Sequence, residues 1–294
     1  MANRNQSFTQ RQHMVRSSFE IYRYCDAKPG EISLHHHDFY EVYLFLGGRV
    51  CYNVESRNYR LLPGDILLIG PTELHQPRID KDAGVYERIV LWLDKPFLER
   101  LSTDRTSLTR CFDVSVPGHT NLLRPSPSQR AELQSLLEHL AQENQSESYG
   151  AEVMCQGLLL QVMVALNRLA ATLPSDGLNA ERDAGVVPQV LRYINEHYTD
   201  PLSLELLSSK FFVSKYHLSH EFNRVVGTSV YRYIIQKRLV IAKQMLANGV
   251  APTDVYGHCG FGDYANFYRA FKAEYHISPK QFLGRAGNEN TFGG

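Results

Sequence analysis

The 294-residue chain has no net charge, a single tryptophan and no C-x-x-C pair among its five cysteines. Cys25, Cys51, Cys111, Cys155 and Cys259 are scattered, which excludes a zinc knuckle and a disulfide framework and leaves reduced thiols as the expectation. There is no G-x-S-x-G elbow, no Walker-type G-x-x-x-x-G-K and no context for a nucleophilic cysteine, so the common signatures of hydrolases and nucleotide-binding enzymes are missing. The start, MANRNQSFTQRQHM, lacks the apolar stretch of a signal peptide. The longest greasy run, LLLQVMVAL at 158–166, contains Gln161 and is too short to span a bilayer. A cytoplasmic protein without a membrane partner is expected.

What is present suffices for two globular domains: 43% of residues are apolar and 11% aromatic, enough to fill a core in each. The neutral total hides an asymmetry. Residues 187–285 carry 12 Lys and Arg against 7 Asp and Glu, whereas residues 1–186 carry 19 against 23. A basic C-terminal part suits contact with a polyanion. Residues 19–95 read as strands: YEVYLFL (40–46), VCYNVES (50–56), DILLIG (65–70) and ERIVLWL (87–93) are separated by GGR, LLPGD and PTELHQP, which are turn chemistry. Short strands at this spacing imply a small antiparallel barrel or sandwich. From Pro127 the period becomes helical, with Leu133, Leu136, Leu137 and Leu140 on one stripe and Leu158, Leu159, Val162, Leu166 and Leu169 on another; Ser128 is the expected N-cap of the first helix. LPSDGLNAERDAGV (173–186) reads as a linker.

The C-terminal part contains an internal repeat. SKYHLSHEFNRVVGTSVYRY (214–233) overlays DYANFYRAFKAEYHISPKQF (263–282) at an offset of 49 residues, matching Leu218 with Phe267, Phe222 with Phe271 and Ser229 with Ser278, and Phe212 with Phe261 just before. Each copy reads as a short helix (204–210; 253–259), a tight turn, an N-cap (Ser214; Asp263) and a second helix, which is a helix-turn-helix twice over. Residues 230–249 form one continuous helix of about 30 Å between them, which sets two recognition helices roughly one turn of B-DNA apart.

These residues, most specifically RLVIAKQML…CGFGDYANFYRAFKAEYHISPKQF (238–282), resemble the AraC/XylS family of bacterial transcription regulators. Gly260, Phe261, Phe267, Phe271, Lys272, Pro279 and Phe282 carry the family's pattern. Two positions depart from it. Gly257 or His258 stands at the usual small residue of a helix, and His276 replaces the glycine before the final Ser-Pro, where it must tolerate a left-handed or tightened turn. PGDILLIGPTELHQP (63–77), after LHHHDFYEVYLFLGG (34–48), is similar to the cupin-type sensor barrel of such regulators. The resemblance implies an α+β protein of two domains, a cupin-like β-barrel followed by helices and then an all-α double helix-turn-helix. The segments run 1–18 arm or tail, 19–126 barrel, 127–172 helical packing or dimerisation segment, 173–186 linker, 187–285 DNA-binding domain and 286–294 tail.

Alternation along a strand would point His35, His37, Glu41, Tyr43 and Phe45 one way. In cupin enzymes an H-x-H, a Glu four residues on and a later His bind a metal such as Fe, Mn, Ni or Zn, and His35, His37, Glu41 and His75 match those places. Because the attached domain belongs to a regulator, the favoured reading is a pocket without metal or other cofactor, in which these four bind a small effector together with Tyr43, Arg88 and Trp92. Aromatic faces with a few polar tips suit a sugar. Two blander readings stand beside it: His35 as a satisfied polar group at the barrel mouth, and Trp92 as core. On the DNA side the resemblance and the helix faces nominate Tyr216, Ser219 and His220 in the first unit and Tyr264, Ala265, Tyr268 and Arg269 in the second, with Lys215, Lys237 and Lys272 as phosphate contacts. The expected function is an effector-responsive, sequence-specific DNA-binding regulator. It is not an enzyme, acts as a homodimer, and has double-stranded DNA, a sugar-like effector and RNA polymerase as partners. The alternative is a metal-dependent cupin enzyme with a helical appendage.

Overall fold

The computed structural model describes residues 14–27, 30–80, 82, 84–172 and 185–284. The expected tail at 286–294, the linker except for its last two residues, and the first 13 residues of the expected arm lie outside the described residues. The chain divides into two compact units, Met1–Asp183 and Ala184–Gly294.

In the first unit the strands are β1 (Phe19–Asp26), β2 (Tyr40–Gly47), β3 (Val50–Val54), β4 (Arg57–Arg60), β5 (Ile66–Ile69), β6 (His75–Ile79), β7 (Tyr86–Leu93) and β8 (Leu122–Leu123). They form a five-stranded antiparallel sheet, β1-β7-β2-β5-β8, and a three-stranded one, β4-β3-β6. An isolated bridge, His35 to His75, is added to these ladders. The expected barrel is therefore two sheets rather than a closed ring of strands. PTELHQP is only half a turn, since its last three residues open β6.

Alternation along the strands feeds two cores. Tyr40, Val42 and Leu44 of β2 and Ile89, Leu91 and Leu93 of β7 face α2 (Pro127–Glu143) and α3 (Ala151–Thr172), after the shorter α1 (Lys95–Leu101). Tyr43 and Phe45 of β2 and Val90 and Trp92 of β7 face the small sheet, against Tyr52, Val54 and Tyr59. The large sheet is thus buried on both sides, which is why ILLI of β5 is apolar at every position. Helix α2 begins two residues earlier than expected: Ser126, not Ser128, is its N-cap, in a capping box with Gln129 and with Pro127 in the first turn. The α3 stripe of Leu159, Val162, Leu166 and Leu169 lies in the core of its own unit.

The second unit is all helix: α4 (Val186–His197), α5 (Leu204–Lys210), α6 (Lys215–Val226), α7 (Val230–Ala247), α8 (Pro252–His258) and α9 (Tyr264–Tyr275). Helices α5/α6 and α8/α9 are the two helix-turn-helix units, and α7 joins them without a break. Ser214 and Asp263 cap α6 and α9 through their side chains. Leu218, Phe222, Phe267 and Phe271 are fully buried. Gly227 and His276 end α6 and α9 at φ 75° and 61°, so His276 does adopt the left-handed turn.

The turns follow a different register. Val213 N–H donates to the Ser208 carbonyl and Phe261 N–H to that of Tyr256, both at 3.0 Å, an offset of 48. Phe261 therefore matches Val213, not Phe212, and Gly262 is an extra residue before the second cap. Phe212 instead shares the left-handed place of Gly260, at φ 55° against 79°, and its ring is 95% exposed. At Gly260 a glycine is required, because a Cβ there would lie 2.6 Å from the Thr199 carbonyl oxygen. The same loop is held by Arg238 of α7, whose Nε and Nη2 donate to the carbonyls of Tyr198 and Asp200, each at 2.7 Å.

The two phenylalanines should respond oppositely to substitution. Phe212→Gly relieves a left-handed side chain that buries nothing and should raise stability by about 0.5–1 kcal/mol. Phe261→Ala opens the second core and should cost about 3–5 kcal/mol. Urea unfolding of the full chain followed by circular dichroism at the helix band reads both; a loss of stability in Phe212→Gly would contradict this account of the turn.

Candidate functional site

The first site lies between the two sheets. Residues 34–48 are not one strand: His35 pairs with His75 (N–O 3.1 and 2.9 Å), the chain turns through Asp38, and β2 starts only at Tyr40. His35, His37, Glu41, Tyr43, Arg88 and Trp92 nevertheless converge on one cavity of about 20 Å³. His75 packs behind at a steep angle, its ring centroid 4.2 Å from that of His35 and 4.7 Å from that of His37. The seven nominated effector residues are brought together, while Phe45 is buried in the core beyond. His36 is buried too. The cavity is also lined by Ile32, Tyr52, Pro77, Tyr86 and Val90, which were not nominated. Stepping by twos along β7 from Trp92 and Arg88 reaches Val90 and Tyr86, so that pair was legible; Tyr52 and Pro77 come from the other sheet and were not.

Most polar groups here are buried and aimed. Trp92 Nε1 donates to Glu41 Oε2 at 2.8 Å. His37 Nε2 lies 3.4 Å from the same oxygen. Burial favours the neutral acid of Glu41, but His37, His35 and Trp92 outweigh it and hold the carboxyl below its ordinary value. Desolvation, reinforced by His37, pushes His35 down to about 4, and desolvation beside His35 and His37 depresses His75 strongly, so both are neutral at physiological pH. On the opposite wall the Tyr43 and Tyr86 hydroxyls share a 2.5 Å hydrogen bond, and burial keeps Tyr43 protonated. Arg88, 2% exposed, pairs with Asp26 and lies over the rings of Tyr86 and Tyr24, 4.0 and 4.7 Å from their centroids.

The second site is on the helical unit. Lys215, Tyr216, Ser219 and His220 are exposed on α6, and Tyr264, Ala265, Arg269 and Lys272 on α9; Tyr268 is half-buried. Lys237 is half-buried on α7. Lys215 is paired with Glu205 at 3.1 Å. Arg269 donates to the Asn266 side chain one turn earlier, at 2.6 Å. Asn223 and Arg224, which were not nominated, share a shallow concavity with Tyr216, Ser219 and His220. Arg224 lies in the last turn of α6 and pairs with Glu221 at 2.6 Å.

A two-sheet pocket of converging polar groups joined in one chain to two helix-turn-helix units defines a ligand-responsive DNA-binding regulator. Residues 18–163 match the AraC-like ligand binding domain and residues 207–285 a helix-turn-helix domain. The chain belongs to the AraC/XylS family of transcription regulators. The HTH-type transcriptional activator RhaS of Escherichia coli O157:H7 is 24% identical over 262 residues, 86% of this chain and 88% of that protein. Among solved structures, the C-terminal domain of the response regulator yesN from Fusobacterium nucleatum is 33% identical over 32% of this chain and 94% of its own, with a TM-score of 0.32. Unsaturated-fatty-acid-bound ToxT from Vibrio cholerae is 11% identical over 92% of this chain and 96% of its own, with a TM-score of 0.39.

Proposed function

We propose that this regulator binds a small polyhydroxylated effector such as a sugar through His35, His37, Glu41, Tyr43, His75, Arg88 and Trp92, and that it is not an enzyme. The supporting observation is the convergence of all of these but His75 on one cavity walled by aromatic rings. At about 20 Å³ it holds about one water, so a sugar enters only by displacing side chains that line it. Residues 187–285 are the DNA-binding domain in this reading, and 19–126 the sensor. The activator role of RhaS supports RNA polymerase as a further partner. A cytoplasmic location without a membrane partner follows from action on DNA. Helix α3 is apolar and long enough to cross a membrane, but its apolar stripe serves the core.

Homodimerisation belongs to the same proposal, through the outer face of α3. Its inner stripe is taken by its own core, whereas Val153 and Met154 are 65% and 50% exposed, with Leu160 and Val164 half-buried on the same side. Sedimentation velocity should show a dimer that Val153→Glu with Val164→Glu shifts towards monomer; a wild-type monomer at micromolar concentration would exclude this face.

Trp92 is the chain's one tryptophan and borders the cavity, so intrinsic fluorescence reports on the pocket alone. A screen of monosaccharides should find one that shifts this emission saturably and raises the melting temperature, as a ligand at 100 times its dissociation constant adds about 2.7 kcal/mol. A panel without any saturable shift would remove sugars as the effector class.

For DNA readout, Arg269 is assigned to a base edge and Lys272 to a phosphate. Arg269→Ala should weaken specific binding by about 1–3 kcal/mol and relax one base position, while Lys272→Ala weakens all sequences alike and flattens the salt dependence. Selection from random DNA with wild type and both variants distinguishes them: unchanged preferences in Arg269→Ala would take Arg269 off the reading face.

A further inference from the structure

The histidines between the sheets are fixed in one tautomer by the backbone. The Nδ1 atoms of His35, His37 and His75 each lie 2.8 Å from a main-chain carbonyl, of Ser33, Phe39 and Glu73 respectively. A carbonyl only accepts, so each Nδ1 carries the proton and donates it. In the neutral rings Nε2 is then a bare lone pair. The Nε2 atoms of His37 and His75 are buried and have no hydrogen-bond partner among the described residues. That of His37 lies 3.4 Å from a Glu41 carboxylate oxygen, so the two face each other as acceptors unless a positive charge is shared between them.

Such an arrangement repels itself unless a positive charge stands between its members. A proton on His37 would settle one of the two lone pairs and leave His75 Nε2 buried without a partner. A metal ion would settle all of them. Ligand atoms of His37, Glu41 and His75 lie within 4.8 Å of one another. Sub-ångström side-chain shifts bring three such atoms to about 2.1 Å from one ion. The surroundings are those of a metal site: both rings are oriented by backbone acceptors and the carboxylate by the indole N–H of Trp92. The adjoining cavity, about 20 Å³, is sized for an ion or one water.

We propose that His37, His75 and Glu41 hold one divalent transition-metal ion. Two imidazoles with one carboxylate suit Zn, Fe(II), Co or Ni and disfavour Ca or Mg, which take oxygen ligands. The sequence alone favours a metal-free pocket; the tautomers, visible only in three dimensions, point the other way. The ion ties β6 to β2, and hence the small sheet to the large one, inside the sensing unit. The proposal does not rest on the sugar reading, because titration of stripped protein with sugars is a separate measurement.

The test uses the full chain, stripped with chelator and titrated with Co(II). Expected are visible absorption bands that saturate at one equivalent, quenching of Trp92 emission in step with them, and displacement of both signals by Zn(II). Glu41→Gln and His75→Gln should weaken Co(II) binding by at least about 100-fold, while His197→Ala, which removes the exposed His197–Asp200 pair, leaves it unchanged. If either site variant fails to fold, the wild-type stoichiometry and the coupling of absorption to Trp92 quenching decide the matter. Absence of a saturable band in folded wild-type protein overturns the proposal, as does a band that survives in Glu41→Gln and His75→Gln or is lost in His197→Ala.

Discussion

The sensing unit is organised around a buried carboxylate. Glu41 is 6% exposed, on a strand whose neighbours are apolar on both faces, and an ionised group there persists only with compensation. Trp92 supplies a hydrogen bond from the adjacent strand and His37 an imidazole from the approach to β2. His75 arrives from the other sheet, and the His35–His75 bridge fixes the two approaches together. Strand register across β2 and β7, which sets Glu41 opposite Trp92, is therefore also site geometry.

Two separate cores make that geometry rigid. The large sheet is covered by helices on one side and by the small sheet on the other, so a shift of one residue in β2 would exchange Tyr40, Val42 and Leu44 with Glu41, Tyr43 and Phe45. Such a slip would drive Glu41 into an apolar layer. The pocket's aromatic walls are the inner face of this packing, which is why Trp92 and Tyr43 are core and site at once.

The helical unit depends on a different buried polar contact. Arg238 donates to the Tyr198 carbonyl and to that of Asp200, which also accepts from Leu202 N–H, and Thr199 of the same loop presses on Gly260. Through this loop the segment before the first helix-turn-helix is tied both to the connecting helix and to the turn of the second. The spacing of α6 and α9 thus rests on tertiary contacts as well as on the length of α7.

Sequence by itself determined the elements whose signal is local. The repeat of Leu218/Phe222 and Phe267/Phe271, the caps Ser214 and Asp263, and the unbroken α7 follow from periodicity and capping, which act within a few residues. Alternation likewise sufficed to gather Glu41, Tyr43, Arg88 and Trp92. Tertiary structure decided what depends on partners distant in the chain. It opened the expected barrel into two sheets, drew Tyr52 and Pro77 into the cavity and moved the turn equivalence from Phe212 to Val213. It also assigned the protons of three histidines, because a tautomer is set by whichever carbonyl the fold brings to Nδ1, and spacing along the chain does not encode that.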